Sequence, residues 1–561
     1  MNRRRLLLPV ALTLVLLAAC TSTEADDGHT TAASAAASSG AETSGADTSG
    51  APGSGAEQPP ANPAGVPGVP TNDVWVQSAI RKVDGLASSM QEQTNIPGMA
   101  VAVVQDGQIV FAKGYGVREV GKPETVDADT VFQLASVSKP IGATVIAQEV
   151  GKGTVSWDTP IVTHLPDFAL ADPYVTANVT VADMYAHRSG LPDHAADLLE
   201  DLGYDRSYVL SRLKYEPLNP FREIYNYTNF GITTGAESVA RATGLAWEDL
   251  SERDIYGPLG MTNTSSTFAD FQANPNHAAG HVLVDGQYEA KYLRQPDAES
   301  PAGGVSSSVT DVATWLAMVL NEGAAADGTQ LVDTTALNAA LTPHMRAVDG
   351  SPTPQTIVDR PGFYGYGFNV NSDATGRVRI GHSGAFGLGA GTTFLGIPDM
   401  GLGIVVLTNA APIGAAEALT QEFADLAEFG SIQHDWRPLY AAAFAPGSAP
   451  AGSLAGETPP ANPVAASPNS AYVGTYQNDY LGPATVSEVG GALVLTLGPK
   501  GQQFPLTHWD GQVFTMVPTG ENAPDGSISA VTFEGGDGGA APASTMTIEF
   551  YNKEGLGVFR R

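Results

Sequence analysis

Phe132-Gln133-Leu134-Ala135-Ser136-Val137-Ser138-Lys139-Pro140 is the stretch on which the reading of this chain turns. Residues three apart share a helix face, so a helix starting at Ser136 brings its hydroxyl within reach of the Lys139 amine. Serine alone is a weak nucleophile and needs a base. Lysine serves as one if burial or neighbouring cations lower its pKa. Pro140 is tolerated in a first helical turn, and Ile141, Val145 and Ile146 supply a stripe to bury. A nucleophile there also feels the positive end of the helix dipole. The pattern recurs by chance: Ser211-Arg212-Leu213-Lys214 repeats it, and there a solvated face of an amphipathic helix suffices. The sequence downstream of Ser136 separates the two.

Tyr227-Thr228-Asn229 is the second element. A phenol beside a cationic lysine loses its proton more readily and can act as a general base. Asn229 can hydrogen-bond a substrate amide. Tyr476-Gln477-Asn478 has the same form and reads as an ordinary aromatic in a loop. The third element is His382-Ser383-Gly384-Ala385, after the strand-like Val378-Arg379-Ile380. Gly384 would let substrate approach an edge strand closely. The N–H of Ala385 could join that of Ser136 as an oxyanion hole.

In this order, Ser-x-x-Lys, Tyr-x-Asn and His-x-Gly resemble the penicillin-recognising serine hydrolases, especially the class C β-lactamase and CubicO-type branch. Phe132 to Ala135, His187-Arg188-Ser189-Gly190-Leu191-Pro192, Tyr225 to Gly231, Pro258-Leu259-Gly260-Met261 and Ala302-Gly303-Gly304-Val305 are similar to family segments. The resemblance spans roughly residues 80–430. It implies a β-lactamase/transpeptidase-like α+β domain, acylation of Ser136, and hydrolysis by water activated at Tyr227 and Lys139. Asn229, His382, Gly384 and Ala385 are the implied substrate-binding residues. Classical members carry Lys-Thr-Gly where this chain has His382-Ser383-Gly384, and that lysine helps bind a substrate carboxylate. An esterase or D-amino-acid peptidase is therefore the first expectation, with a β-lactamase or DD-carboxypeptidase second.

Two other classes stand against this. Gly381-His382-Ser383-Gly384-Ala385 resembles an α/β-hydrolase nucleophile elbow with Ser383 as nucleophile, but an elbow must lead into a helix. The glycine-rich stretch after it leads instead towards a strand. A catalytically silent cell-surface binding protein could use the same fold. His187 and His194 lack a metal-ligand spacing, and no nucleotide loop occurs, so neither metal nor cofactor is expected.

The rest of the 561 residues frames that domain. Arg3 to Arg5 followed by Leu6 to Ala19 reads as a secretory signal. It ends in Leu17-Ala18-Ala19-Cys20, which resembles a bacterial lipobox, implying lipid on Cys20, the single cysteine, and an extracytoplasmic, membrane-anchored protein. Residues 20–72 read as a flexible tether, 73–440 as the hydrolase domain, 441–468 as a linker and 469–561 as a small β-rich, lipocalin-like domain. Hairpins are expected at Met99–Tyr115 around Asp106-Gly107 and at Gly391–Thr408 around Pro398-Asp399, with helices near 74–94 and 414–428. These form an antiparallel sheet from both ends of the domain, with a helical region between them. The formal net charge of −31 disfavours nucleic acid and says little about a small substrate; a small-molecule or peptide substrate is what the resemblance implies.

Overall fold

The computed structural model describes residues 70–347, 361–373, 375–535 and 541–561. The signal, Cys20 and nearly all of the tether lie outside them.

The two expected hairpins lie side by side in one antiparallel sheet. Strands β1 (Gly98–Gln105) and β2 (Gln108–Gly116) come from its start. Near its end come β10 (Val378–Phe386), β11 (Ala390–Ile397) and β12 (Leu402–Thr408). Two short ribbons lie between: β3 (Val131–Gln133) with β6 (Ser306–Ser308), and β4 (Val282–Val284) with β5 (Gln287–Glu289). With β7 (Met345–Arg346), β8 (Phe363–Tyr364) and β9 (Asn369–Ser372), the sheet order is β2-β1-β12-β11-β10-β9-β8-β7. β1 and β12 close the gap between the chain's two ends, with Val101 opposite Val406.

Why β1 and β12 are apolar throughout follows from burial on both faces. Met99, Val101 and Val103 pack with Ile404 and Val406 under the helices Asp73–Thr94 and Ala415–Phe429. Ala100, Ala102 and Val104 point the other way, with Val405 and Leu407, into the core that holds helices Ser138–Gly151 and Val309–Leu320. Alternation by two residues thus feeds two cores at once.

The tail is an eight-stranded antiparallel meander: β13 (Gly474–Tyr476), β14 (Ala484–Val489), β15 (Ala492–Leu497), β16 (Gln502–Asp510), β17 (Val513–Met516), β18 (Ser529–Glu534), β19 (Thr545–Ile548) and β20 (Val558–Arg560), in chain order. Its ends meet where Gln477 and Arg560 exchange backbone hydrogen bonds of 2.6 and 2.9 Å, making a near-barrel around Tyr472, Phe514 and Phe533. Residues expected as a linker are strapped to it: Ala451 N donates to Ser527 Oγ at 2.9 Å and Val464 N to Asp510 Oδ1 at 2.6 Å.

The near-barrel does not hang free of the larger domain. Leu199, Leu202 and Leu213 share a hydrophobic cluster with Tyr480, Leu481 and Leu497. The Tyr204 hydroxyl donates to Leu481 O at 2.8 Å, and the buried Tyr480 hydroxyl donates to the Glu216 carboxylate. Removing one partner of a buried hydrogen bond costs about 1–3 kcal/mol. Tyr480→Phe should therefore lower stability by that amount in urea denaturation. A change within about 0.5 kcal/mol would mean that docking of the tail does not depend on this contact.

Candidate functional site

The serine turn is built by close backbone approach. Ser136 sits in a 3₁₀ turn, Ala135–Val137, and the α-helix begins at Ser138, two residues later than the sequence suggests. The cause is Ala135, which adopts φ +47° and turns the chain sharply out of β3. Three bonds hold the kink: Leu134 N to Val305 O at 2.9 Å, Ser138 Oγ to Ala135 O at 2.7 Å and Thr392 Oγ1 to Leu134 O at 2.6 Å. Ser138 Oγ also accepts from Val305 N at 3.0 Å. The turn rests on Gly384 of β10, where a Cβ would lie 2.2 Å from Leu134 O and 3.1 Å from Ser136 N. The sequence reading gave Gly384 to substrate approach; the structure gives its missing side chain to the serine turn.

Lys139 is fully buried, and its Nζ has three oxygen neighbours: Ser136 Oγ at 2.9 Å, Asn229 Oδ1 at 2.7 Å and Ala302 O at 3.0 Å. Burial lowers its pKa to about 8, against the opposing pull of Glu299 and Asp197. The geometry then fixes what the neutral amine does. Asn229 Oδ1 and Ala302 O only accept, so they take its two N–H bonds. The lone pair is left facing the Ser136 hydroxyl. Asn229 is oriented by Asp197, whose Oδ2 accepts from Asn229 Nδ2 at 2.9 Å. Asn229 therefore holds the lysine, and one of its amide N–H bonds remains for a substrate. Asp197 carries no signal in the sequence, being one of many acidic residues.

Tyr227 lies against the same lysine, with Nζ 4.6 Å from the ring centroid. Its phenol is pushed up by burial, and the carboxylates of Glu299, Asp197 and Asp193 push it further, while contact with Ser136 pulls the other way. Burial and the carboxylates both favour the protonated form, in which Tyr227 offers an O–H, against the phenolate that the sequence suggests. Behind it His187 forms an aromatic cluster with Tyr225 and Tyr364, and its Nδ1 accepts from Thr228 N at 3.1 Å. The histidine in the His187-to-Pro192 segment is thus a strut for the tyrosine loop.

His382, Ser383, Gly384 and Ala385 lie within β10 itself, where β9 covers only Val378–Gly381. His382 Nδ1 is 2.6 Å from Ser383 O, which can only accept, so Nδ1 carries the proton. Nε2 then accepts from the Tyr364 hydroxyl at 2.8 Å. Burial and the nearby Lys139 lower the His382 pKa to about 3, so it is neutral and both ring nitrogens are occupied. Ser383 Oγ donates to Glu417 and sits in a continuous strand, not at an elbow. The copy at Ser211 donates its hydroxyl to Tyr208 O on an exposed turn, and Tyr476 OH donates to Tyr472 O inside the tail.

Ser136, Tyr227, Asn229, His382 and Ala385 open onto one cleft of about 1690 Å³. Two of its walls were not foreseen: the β4–β5 ribbon, through Leu283 and Tyr288, and the tail segment 517–526. Its arginines are committed. Arg294 Nη2 pairs with Glu200 at 2.5 Å and Glu299 at 2.6 Å, and Arg379 pairs with Glu428.

Comparison with known proteins agrees with this layout. The family model described as Beta-lactamase matches residues 83–428, more than half of the chain, and a domain of unknown function (DUF3471) matches 458–556. Among curated relatives, an unguisins hydrolase of Aspergillus campestris is 29% identical over 57% of this chain and 59% of its own length. Penicillin-binding protein 4 of Amycolatopsis lactamdurans is 28% identical over 57% of this chain and 83% of its own. The D-alanyl-D-alanine-carboxypeptidase/endopeptidase AmpH of Escherichia coli is 25% identical over 43% and 61%. The chain spans between half and three-fifths of the length of the first three curated relatives. The octameric penicillin-binding protein homologue from Pyrococcus abyssi shares the fold, with a TM-score of 0.55 and 19% identity over 84% of this chain and 98% of that one.

A base that works only when deprotonated leaves a pH signature. With Lys139 near pKa 8, about a tenth is neutral at pH 7. Ester kcat/KM measured between about pH 6 and pH 9.5 should rise about tenfold per pH unit and level off above roughly 8. A flat or falling profile would show that Lys139 is not the base.

Proposed function

We propose that this chain, which belongs to the beta-lactamase family, is a serine hydrolase that opens an ester or amide through an acyl-enzyme on Ser136. The observation that carries the reading is Lys139 Nζ 2.9 Å from Ser136 Oγ with its other two hydrogen bonds made to Asn229 Oδ1 and Ala302 O, so that once deprotonated the amine turns its lone pair to the hydroxyl. As Oγ bonds to the substrate carbonyl carbon, its proton passes to Lys139 and the C=O electron pair becomes an oxyanion. The N–H groups of Ser136 and Ala385 are the donors suited to hold it. Collapse expels the leaving group, which takes a proton from the Lys139 ammonium or through the Tyr227 hydroxyl. Water then attacks the ester on Ser136 with Lys139 again as base, and collapse breaks the bond to Oγ, which takes the proton back from the Lys139 ammonium as the acid leaves.

The substrate reading rests on charge. His382 is neutral, both its nitrogens are bonded, and Arg294 and Arg379 already face carboxylates. A substrate carboxylate would meet no uncommitted cation among these residues. This favours esters and D-amino-acid peptides engaged through neutral or cationic groups over β-lactams. The names of two relatives, an unguisins hydrolase and a D-alanyl-D-alanine-carboxypeptidase/endopeptidase, are those of hydrolases and keep DD-carboxypeptidase chemistry as the second reading. The lipobox-like Leu17-Ala18-Ala19-Cys20 supports extracytoplasmic anchoring by lipid.

Two experiments test these statements. Purified protein should hydrolyse p-nitrophenyl acetate and lose at least about 10³-fold in kcat as Ser136→Ala, with chromogenic cephalosporin turnover near background. Cephalosporin turnover as fast as that of the ester would put the β-lactamase reading first, and activity surviving Ser136→Ala would remove Ser136 as nucleophile. In cells, Cys20→Ala should shift the protein out of the membrane fraction; unchanged retention counts against the anchor.

A further inference from the structure

The loop between β17 and β18 leaves the near-barrel and lines the cleft through residues 517–526. Its tip is fixed by one carboxylate. Asp201 accepts from Glu521 N at 2.9 Å, Asn522 N at 3.1 Å and Asn522 Nδ2 at 2.9 Å. Gly520 precedes them at φ +123°, where a Cβ would stand 2.6 Å from the Asp201 carboxylate carbon. Only glycine fits both the backbone and the contact.

Held in this way, Glu521 reaches the catalytic sheet. Its carboxylate accepts from Gly387 N and, at 3.3 Å, from Leu388 N, with Arg294 Nε at 3.7 Å. Gly387 and Leu388 form the turn from β10 to β11, two and three residues beyond Ala385. The same arginine lies over the Phe386 ring at 4.7 Å. Successive N–H groups at a tight turn lack sheet partners and need an acceptor. In this protein the acceptor comes from a separate domain.

We infer that Glu521 is a positioning residue for the hydrolytic site: by tying the β10–β11 turn to the tail, it sets Ala385 N–H relative to Ser136, making the near-barrel part of the catalytic unit. This rests on the proposed roles of Ser136 and Ala385. Oxyanion stabilisation is steeply sensitive to donor placement, so a small drift of the strand end costs rate while leaving substrate binding almost intact.

The test uses the full chain with p-nitrophenyl acetate, comparing Glu521→Ala, Glu521→Gln and Ser136→Ala, alongside thermal melting. Burial raises the Glu521 carboxyl to about 7, with Arg294 opposing, so glutamine is a fair mimic that keeps an oxygen for Gly387 N–H. Glu521→Ala should lower kcat by about 10- to 100-fold with KM within about twofold, and Glu521→Gln should recover most of the loss. Unchanged kcat in Glu521→Ala, or a loss that Glu521→Gln shares in full, overturns the inference. The Ser136→Ala control separates the two levels: activity surviving there means that the proposed nucleophile, not the tail contact, has failed.

Discussion

A primary amine sealed from water beside a serine hydroxyl is the constraint around which this molecule is arranged. Transfer of Lys139 into a dry site disfavours its cation by on the order of 3 kcal/mol, taking a pKa near 8 against an ordinary 10.5. Dryness alone would produce an unanchored amine. Two carbonyl-type oxygens, Asn229 Oδ1 and Ala302 O, fix its direction. Each is in turn fixed from outside: Asn229 by Asp197, and the Ala302–Val305 segment by its bonds to Leu134 and Ser138. The glutamates around Arg294 temper the effect, because Glu299 raises the lysine pKa while burial lowers it. The lysine stays close enough to neutrality to be deprotonated and basic enough to take a serine proton.

That arrangement needs a rigid wall behind the serine turn, and the two-sided sheet provides it. Because β1, β11 and β12 are buried on both faces, the strand pairings next to β10 have no room to slip without exposing a whole row of side chains. Gly384 converts that rigidity into position. The bare backbone there brings β10 up to Leu134 O and Ser136 N, so sheet and nucleophile turn share one geometry. The tail adds a third anchor at the end of the same strand through Glu521.

What the residues revealed beforehand, and what they hid, divides along sequence distance. The hairpins at Asp106-Gly107 and Pro398-Asp399 were legible because turn chemistry and flanking apolar runs are local. The same holds for the helices near 74–94 and 414–428. Ser136, Lys139, Tyr227 and His382 were legible as motifs. The onset of the helix at Ser138 was not, since it depends on Ala135 being held at positive φ by contacts from residues 305 and 392. Asp197, Glu299 and Tyr364 were invisible for the same reason: each acts at the site only because the fold brings it beside Asn229, Lys139 or His382. For the Tyr227 phenol, proximity to a cation suggests a lowered pKa, whereas burial and three carboxylates act to raise it. The tail was legible only as a small β-rich domain, because its strands are short and only the closed meander buries them.

His382 shows why one substituted motif position changes more than one contact. A lysine there would place a second cation near Lys139. The histidine instead spends Nδ1–H on Ser383 O and accepts the Tyr364 hydroxyl at Nε2, and Lys139 nearby disfavours a second positive charge. Protonating it would make Nε2 the donor to the Tyr364 oxygen and bury a cation beside the lysine. The two positions are thus electrostatically linked: a neutral His382 leaves Lys139 the more basic, whereas a cation there would lower the lysine pKa further and weaken it as a base. The exchange of lysine for histidine therefore removes a cation from beside Lys139 and leaves that lysine the more basic.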